Sequence, residues 1–352
     1  MNKECNELID KLCQNSALSS EEYLFLIKKR RQCEKQLFEN ASAVRRQIYG
    51  DAIYVRGLIE FTNYCRNDCY YCGIRRSNKS ARRYRLSEKE ILECADYGYN
   101  WGFRTFVLQG GEDAFFTDER LCRIIRNLKT QHPDCAVTLS LGERSFESYK
   151  ALKDAGADRY LLRHETADSK HYSQLHPDSM RFENRISCLE NLKALGYQVG
   201  AGFMVGSPFQ TPEHLSKELV FLKKLNPHMV GIGPFIPHKD TPFAEESQGS
   251  AELTLFMLAL IRLTLPNVLL PATTALATAD PFGHEKGILA GANVIMPNLS
   301  PLNAREKYTL YDNKMYTGDE AAHNIDHLRK KINAIGCQIV TNRGDYKGEL
   351  YV

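Results

Sequence analysis

Two spacings of apolar residues alternate along the chain. Up to about residue 50 they recur at helical intervals, with Leu8, Ile9, Leu12 and Cys13 on one face and Leu24, Ile27 and Cys33 on another. Ser19, Ser20 and Glu22 mark a helix start between the two. From residue 52 short β-rich runs take over, separated by amphipathic stretches. Eight runs read as strands: 52–61, 104–109, 136–140, 159–163, 198–205, 229–233, 268–271 and 292–296. Helical patterns fill most gaps. In 87–97, Ser87 and Glu90 have capping-box spacing, and in 211–225 Thr211 can cap with Pro212 at the first helical position.

Regular strand–helix alternation predicts parallel strands joined by right-handed crossovers. Eight such units predict an α/β fold, a complete (β/α)8 TIM-type barrel. An open doubly wound sheet is the alternative, weakened because no G-x-G-x-x-G follows a strand. The expected division is an N-terminal helical extension (1–50), the barrel (51–302) and a polar C-terminal segment (303–352) that closes one barrel end.

Composition narrows the function. The 352 residues carry 46 Lys+Arg against 43 Asp+Glu, a formal charge of +3, which argues against nucleic acid as the main partner. No apolar run approaches the roughly 18 residues of a membrane span. The first residues mix charges with apolar positions and lack a secretory h-region, so a cytoplasmic protein with no membrane partner is expected. The 11 cysteines, an odd number, do not suggest a disulfide framework.

Three of them are spaced for chemistry. Cys65, Cys69 and Cys72 form C-x3-C-x2-C directly after the first strand. The same positions would also describe one face of a helix with three buried thiols. Against that, the stretch lies between Asn63 and Gly73, carries Arg66, Asn67 and Asp68, and sits where barrel enzymes place their active-site loops. Three thiolates suit zinc or iron–sulfur. A structural zinc would want a fourth ligand, which Gly73, Ile74 and Arg75 do not offer. A [4Fe–4S] cluster held by three thiolates leaves one iron open.

Other strand ends carry polar groups. Gln109, Gly110, Gly111, Glu112 and Asp113 follow the second strand, either as a plain turn or as glycines that admit a ligand to the backbone. Arg163 and Glu165 end the fourth, as a structural ion pair or as groups gripping an amino acid or ribose. Arg185 has the fork geometry for a carboxylate. Thr273 and Thr274 end the seventh strand and Met296 the eighth, followed by Tyr308 and Tyr311. The run Arg75, Arg76, Lys79, Arg82, Arg83, Arg85 reads as a solvated loop, and Trp101 as packing. The eight remaining cysteines, Cys5, Cys13, Cys33, Cys94, Cys122, Cys135, Cys188 and Cys337, read as packing.

The C-x3-C-x-aromatic-C triad resembles the radical S-adenosylmethionine (SAM) superfamily. Residues 57–63, 159–166, 230–238, 271–275 and 292–298 add a resemblance to one of its families, the HydE-type [FeFe]-hydrogenase maturases. The resemblance implies a [4Fe–4S] cluster on Cys65, Cys69 and Cys72, with SAM chelated to the open iron and reductively cleaved to a 5′-deoxyadenosyl radical. It implies cofactor-binding roles for Tyr71, Gln109, Gly110, Gly111, Glu112, Arg163, Glu165, Arg185 and Met204. It implies substrate positions at Arg56, Thr138, Thr273, Thr274, Met296, Tyr308 and Tyr311. The implied substrate is a small organometallic species, a cysteine-bound iron carrying CO and CN⁻. Other maturases and an electron donor such as a ferredoxin or flavodoxin are the implied partners.

Two positions depart from that pattern. Gly110 stands where some members have serine. Tyr316, Asn324 and His327 stand where many carry three more cysteines, so no second cluster is expected. The competing readings are a radical SAM mutase or sulfur-transfer enzyme acting on an amino-acid-like substrate, and a non-catalytic scaffold for iron fragments.

Overall fold

In the computed structural model, which describes residues 3–315 and 322–350, eleven strands are formed among the described residues. They are β1 (Ala52–Val55), β2 (Gly57–Thr62), β3 (Thr105–Gly110), β4 (Ala136–Ser140), β5 (Arg159–Leu161), β6 (Gln198–Ala201), β7 (Met204–Val205), β8 (Met229–Val230), β9 (Gly233–Pro234), β10 (Val294–Ile295) and β11 (Gln338–Val340). The order β2-β3-β4-β5-β6-β8 makes one parallel sheet of six strands. Parallel bridges Met229–Leu269 and Pro271–Val294 carry the pairing on to β10, which pairs with β1, and Leu58 bridges Asn298. The parallel contacts thus run round to the strand on which they began, the arrangement of an α/β barrel.

Helices cover the outside. Helix 88–100 starts at Ser87 with the anticipated capping box to Glu90, and helix 212–225 starts at Thr211 with Pro212 in its first turn. Helix Ala251–Thr264 is buried nearly all round, because the N-terminal helices Lys3–Asn15 and Glu34–Tyr49 pack over it. Its buried Arg262 is satisfied by the carbonyls of Gly291 and Pro266 and by Asn293. Among the described residues no helix is long and apolar enough to cross a membrane.

Several expectations change. The first predicted strand is two, interrupted at Arg56. The fifth and sixth are likewise split into β6/β7 and β8/β9, at a point where Gly202 (φ +156°) lies so close to Gly231 that a Cβ would stand 2.0 Å from its carbonyl oxygen. The run 268–271 makes single bridges rather than a ladder. Strand β11 was not anticipated; it lies on β1 in parallel, with Ile53 opposite Ile339.

The C-terminal segment serves both ends of the barrel, not one. At the carboxyl end Gly73 N–H donates to the Leu310 carbonyl. At the amino end Arg159 donates to the Arg343 carbonyl and pairs with Asp345 at 2.6 Å. Cys13 is exposed and Cys5 takes the buried face instead, while Trp101 is partly exposed beside Tyr97 rather than packed in the core.

Candidate active site

At the carboxyl end of the strands a cavity of about 300 Å³ opens. Its wall contains Cys65, Cys69, Cys72 and Tyr71 from the loop after β2 and Gln109 to Glu112 from the end of β3. Arg163, Glu165 and Arg185 stand opposite, with Thr273, Tyr308 and Tyr311 completing it. A wider cleft of about 600 Å³ lies alongside and shares Glu112, but holds none of the thiols. The smaller cavity is the one that gathers the chemistry.

The cysteine loop is held from several sides. Arg83 donates to the carbonyls of Asn63, Ile74, Arg75 and Asn78, so one guanidinium satisfies four loop carbonyls. Asp68 accepts from Arg75 and from the Ser77 backbone and hydroxyl, which together hold its carboxyl far below the usual range. Gly111 is required by close approach, since a Cβ there would meet the Tyr64 carbonyl at 2.2 Å. Glu112 grips Arg66 at 2.8 Å and takes the Glu143 N–H. Arg83, read from the sequence as part of a solvated run, is instead structural, because its partners are loop carbonyls; Glu143 did not stand out, because its partners Glu112 and Arg185 are distant in sequence.

The three cysteines are half-buried at the cavity wall. Burial pushes the Cys65 thiol up, raises Cys69 well above its ordinary value, and lifts Cys72 to about 12, with neighbouring thiols adding to the effect on the last two. Such sulfurs are poor free nucleophiles and become thiolates on binding metal. Among the described residues no three His, Cys, Asp or Glu groups converge as on a single ion. A cubane cluster asks for something else, because each thiolate binds a different iron and the sulfurs stand apart around one cavity. The donor set fits a [4Fe–4S] cluster held by three cysteines.

Opposite the thiols is a set of charges. Arg185 donates to Glu143 at 2.5 Å and to the Arg163 carbonyl at 2.7 Å. Burial opposes its charge, yet Tyr172, Glu143 and Tyr71 around it raise its pKa above the ordinary value. Arg163 Nη2 lies 3.1 Å from Glu165 Oε2, the predicted ion pair, but out of line for a hydrogen bond. Arg163 Nε and Nη2 and Glu165 Oε2 are therefore buried polar atoms without hydrogen-bond partners at the wall of the cavity. A zwitterionic amino-acid group would satisfy both signs.

Glu165 also has φ +68°, unusual for a residue with a side chain. It is held there by its own N–H on Gly202 and by the preceding His164, whose Nε2 donates at 2.7 Å to the fully buried Glu218.

Tyr71 is braced by His176. The His176 Nδ1–H donates to the Tyr172 carbonyl, so Nε2 accepts from the Tyr71 hydroxyl at 3.1 Å. Burial and then the charge of Arg185 lower the His176 pKa to about 3, keeping it neutral.

The remaining predicted positions lie away from this wall. Met204 packs with Leu175, Phe235 and Phe243 against Tyr70 and Tyr71. Met296 joins Tyr54, Met229, Leu269 and Val294. Thr274 is the first residue of helix Thr274–Ala279, with Thr273 as its cap. Arg56 is fully buried; its Nη1 lies on the Met229 sulfur, and its Nε and Nη2 have no hydrogen-bond partner. The Thr138 hydroxyl is likewise buried without a partner. Asn324 opens helix Ile325–Ala334, which also contains His327, and Tyr316 lies outside the described residues.

An α/β barrel with three thiols on the loop after its first strand unit, facing a charged cavity, defines the radical SAM class. The family model described as Radical SAM superfamily matches residues 59–222. The [FeFe] hydrogenase maturase subunit HydE of Thermotoga maritima is 48% identical over 85% of this chain and 85% of its own length. The chain belongs to this family, the HydE maturases, which makes it a radical SAM enzyme. A 3-methylornithine synthase from Methanosarcina acetivorans is 27% identical over 86% of the chain and 85% of its own length. Among solved structures, methylornithine synthase (PylB) superposes with a TM-score of 0.83 at 23% identity, covering 95% of this chain and 97% of that one. The hydrogenase maturase HydG superposes with a TM-score of 0.80 at 19% identity, covering 95% and 75%. These two share the fold.

Proposed function

We propose that this chain binds a [4Fe–4S] cluster and SAM in the 300 Å³ cavity and acts on a cysteine-bound Fe(CO)2(CN) species during [FeFe]-hydrogenase maturation. When bound there, the cluster and SAM supply a 5′-deoxyadenosyl radical. The observation that carries this reading is the division of one cavity into two chemistries. Cys65, Cys69, Cys72, Arg163, Glu165 and Arg185 suit a cluster and a zwitterion, while Thr273, Tyr308 and Tyr311 offer hydroxyls. The unpartnered donors of Arg56 and Thr138 inside the barrel suit a strong acceptor such as cyanide or carboxylate.

The protein's part is binding and exclusion. Arg185, fixed by Glu143, orients the SAM carboxylate, and Glu165 accepts from the ammonium or ribose. Tyr71, braced by His176, packs against the adenine side. The C-terminal residues Tyr308 and Tyr311 close the cavity against water, which a radical needs. No second cluster is part of this reading. Other maturases, and an electron donor such as a ferredoxin or flavodoxin, would supply substrate and reducing power.

Anaerobic reconstitution tests it. With iron, sulfide, SAM, dithionite and a synthetic iron–cysteine carbonyl–cyanide complex, an adenosylated cysteine product is expected. SAM cleavage without that product removes the maturase reading and favours a mutase or sulfur-transfer enzyme. With no SAM cleavage at all, a non-catalytic iron-fragment scaffold gains.

A further inference from the structure

The cationic run beyond the third thiol is divided by the fold into two sets. Between Cys72 and Ser87 the chain has six cations and no acid. Arg75, Arg83 and Arg85 turn inward, to Asp68, to four carbonyls and to Asp113 respectively. Arg76, Lys79 and Arg82 stay exposed and, among the described residues, their side chains make no hydrogen bond or ion pair.

The backbone keeps these three beside the thiols. Arg76 N–H donates to the Asn67 carbonyl, between Cys65 and Cys69, at 2.8 Å. Arg75 closes one turn on the Cys72 carbonyl and Asn78 a second on the Arg75 carbonyl. Arg76 is therefore at most about 14 Å of chain from Cys72, on a loop that Arg83 holds rigid. A surface groove of about 310 Å³ continues from Arg82 to Lys239 and Lys307. That groove is mixed in charge, since Asp240, Glu306 and Asp312 also line it, with the Asp312 carboxylate engaged by the Lys239 N–H, so the unbalanced charge is that of Arg76, Lys79 and Arg82 themselves.

Unpaired exposed cations add little to folding, but they attract a partner of opposite sign and orient its approach. We infer that the outer face of this loop, through Arg76, Lys79 and Arg82, is the landing surface for a small acidic electron-carrier protein. The inference rests on the radical SAM reading, which requires one electron per SAM cleaved. The reduced carrier loses that electron to the cluster; no bond is made or broken in the transfer. Tunnelling falls steeply with distance, so a carrier must dock at the edge of the cysteine loop, which is where the uncompensated charge lies.

The test compares the full-length protein with Arg76→Glu/Lys79→Glu/Arg82→Glu and with Arg76→Gln/Lys79→Gln/Arg82→Gln. Binding to an acidic flavodoxin is titrated at low ionic strength, and carbodiimide cross-links to Lys79 are mapped. SAM cleavage is then driven either by reduced flavodoxin or by dithionite. Charge reversal is expected to weaken binding and the flavodoxin-driven rate by about tenfold or more, and neutralisation by less. The wild-type advantage should fade with added salt, and dithionite-driven cleavage should stay within about twofold of wild type in all three proteins.

Unchanged flavodoxin binding in the reversed variant overturns the inference. So does an equal loss with dithionite, which would mean that the loop builds the site itself. If wild type cleaves no SAM with dithionite, the failure belongs to the radical SAM reading instead.

Discussion

Lys314 reaches from the C-terminal segment into the barrel wall, where its ammonium meets the buried carboxylate of Glu60. The same Nζ donates to the Tyr308 carbonyl, and Asn298 supplies the second Glu60 oxygen with a donor at 2.8 Å. The strap that carries Tyr308 and Tyr311 over the cavity is thus tied to β2 by a pair almost out of water.

Breaking this tie on one side is predicted to be costly. Lys314→Met leaves Glu60 buried and uncompensated, a loss of about 3–5 kcal/mol in urea unfolding. The double variant Glu60→Gln/Lys314→Met should recover most of it, since the stranded charge dominates the cost. SAM affinity should fall in the single variant, where the strap is loosened.

Replacing any one of Cys65, Cys69 and Cys72 with serine should abolish SAM cleavage and lower the iron content of anaerobically loaded protein. Wild type is expected to hold about four irons per chain. A count of about six would show a second cluster and refute the reading of the C-terminal segment.

If Arg185 holds the SAM carboxylate as proposed, Arg185→Met removes a charge-assisted donor to it. Calorimetry should show SAM affinity reduced by about 10- to 100-fold, from the roughly 1.5–3 kcal/mol such a bond contributes. Glu143→Gln should give a smaller loss, because it leaves the guanidinium in place but less firmly aimed.

The His176 ring gives a pH dependence. Its folded pKa is lowered to about 3, below the ordinary 6.5, so the unfolded chain takes up a proton first as the pH falls. Its contribution is therefore fully present above pH 6.5 and is lost progressively between 6.5 and about 3, at no more than about 1.4 kcal/mol per pH unit. Chemical denaturation across that window should show a shallower acid slope in His176→Gln than in wild type.

Much of the frame could be read locally. The Ser87–Glu90 box and the Thr211–Pro212 start depend on residues within four positions, and both helices begin where spacing predicts. The three thiols were legible because the cysteine loop carries them within eight residues. Less legible was whatever depends on distant partners. Arg56 looked like part of one continuous strand, yet it interrupts two, and its neighbour Met229 comes from across the barrel. Strand β11 exists because β1 offers an edge, a fact that Gln338–Val340 does not encode alone. The basic run read as solvated, but half of it is structural, because Asp68, Asp113 and a set of loop carbonyls lie within reach only after folding. The ion pair at Arg163 and Glu165 was foreseen; its imperfect alignment, which leaves both open to a ligand, was not.

The last part of the chain laces both openings of the barrel with one thread. Lys314 knots it at the mouth, and Arg343 and Asp345 knot it at the base against Arg159. Helix Ile325–Ala334 takes up the length between, anchored by the buried Ile325, Leu328 and Ile332. Because that helix is fixed in the core, the two knots are held independently, and a change at one end of the segment is not passed to the other. The mouth and the floor of the barrel can thus each be loosened alone, at Lys314 or at Asp345, without a single substitution in the cavity wall.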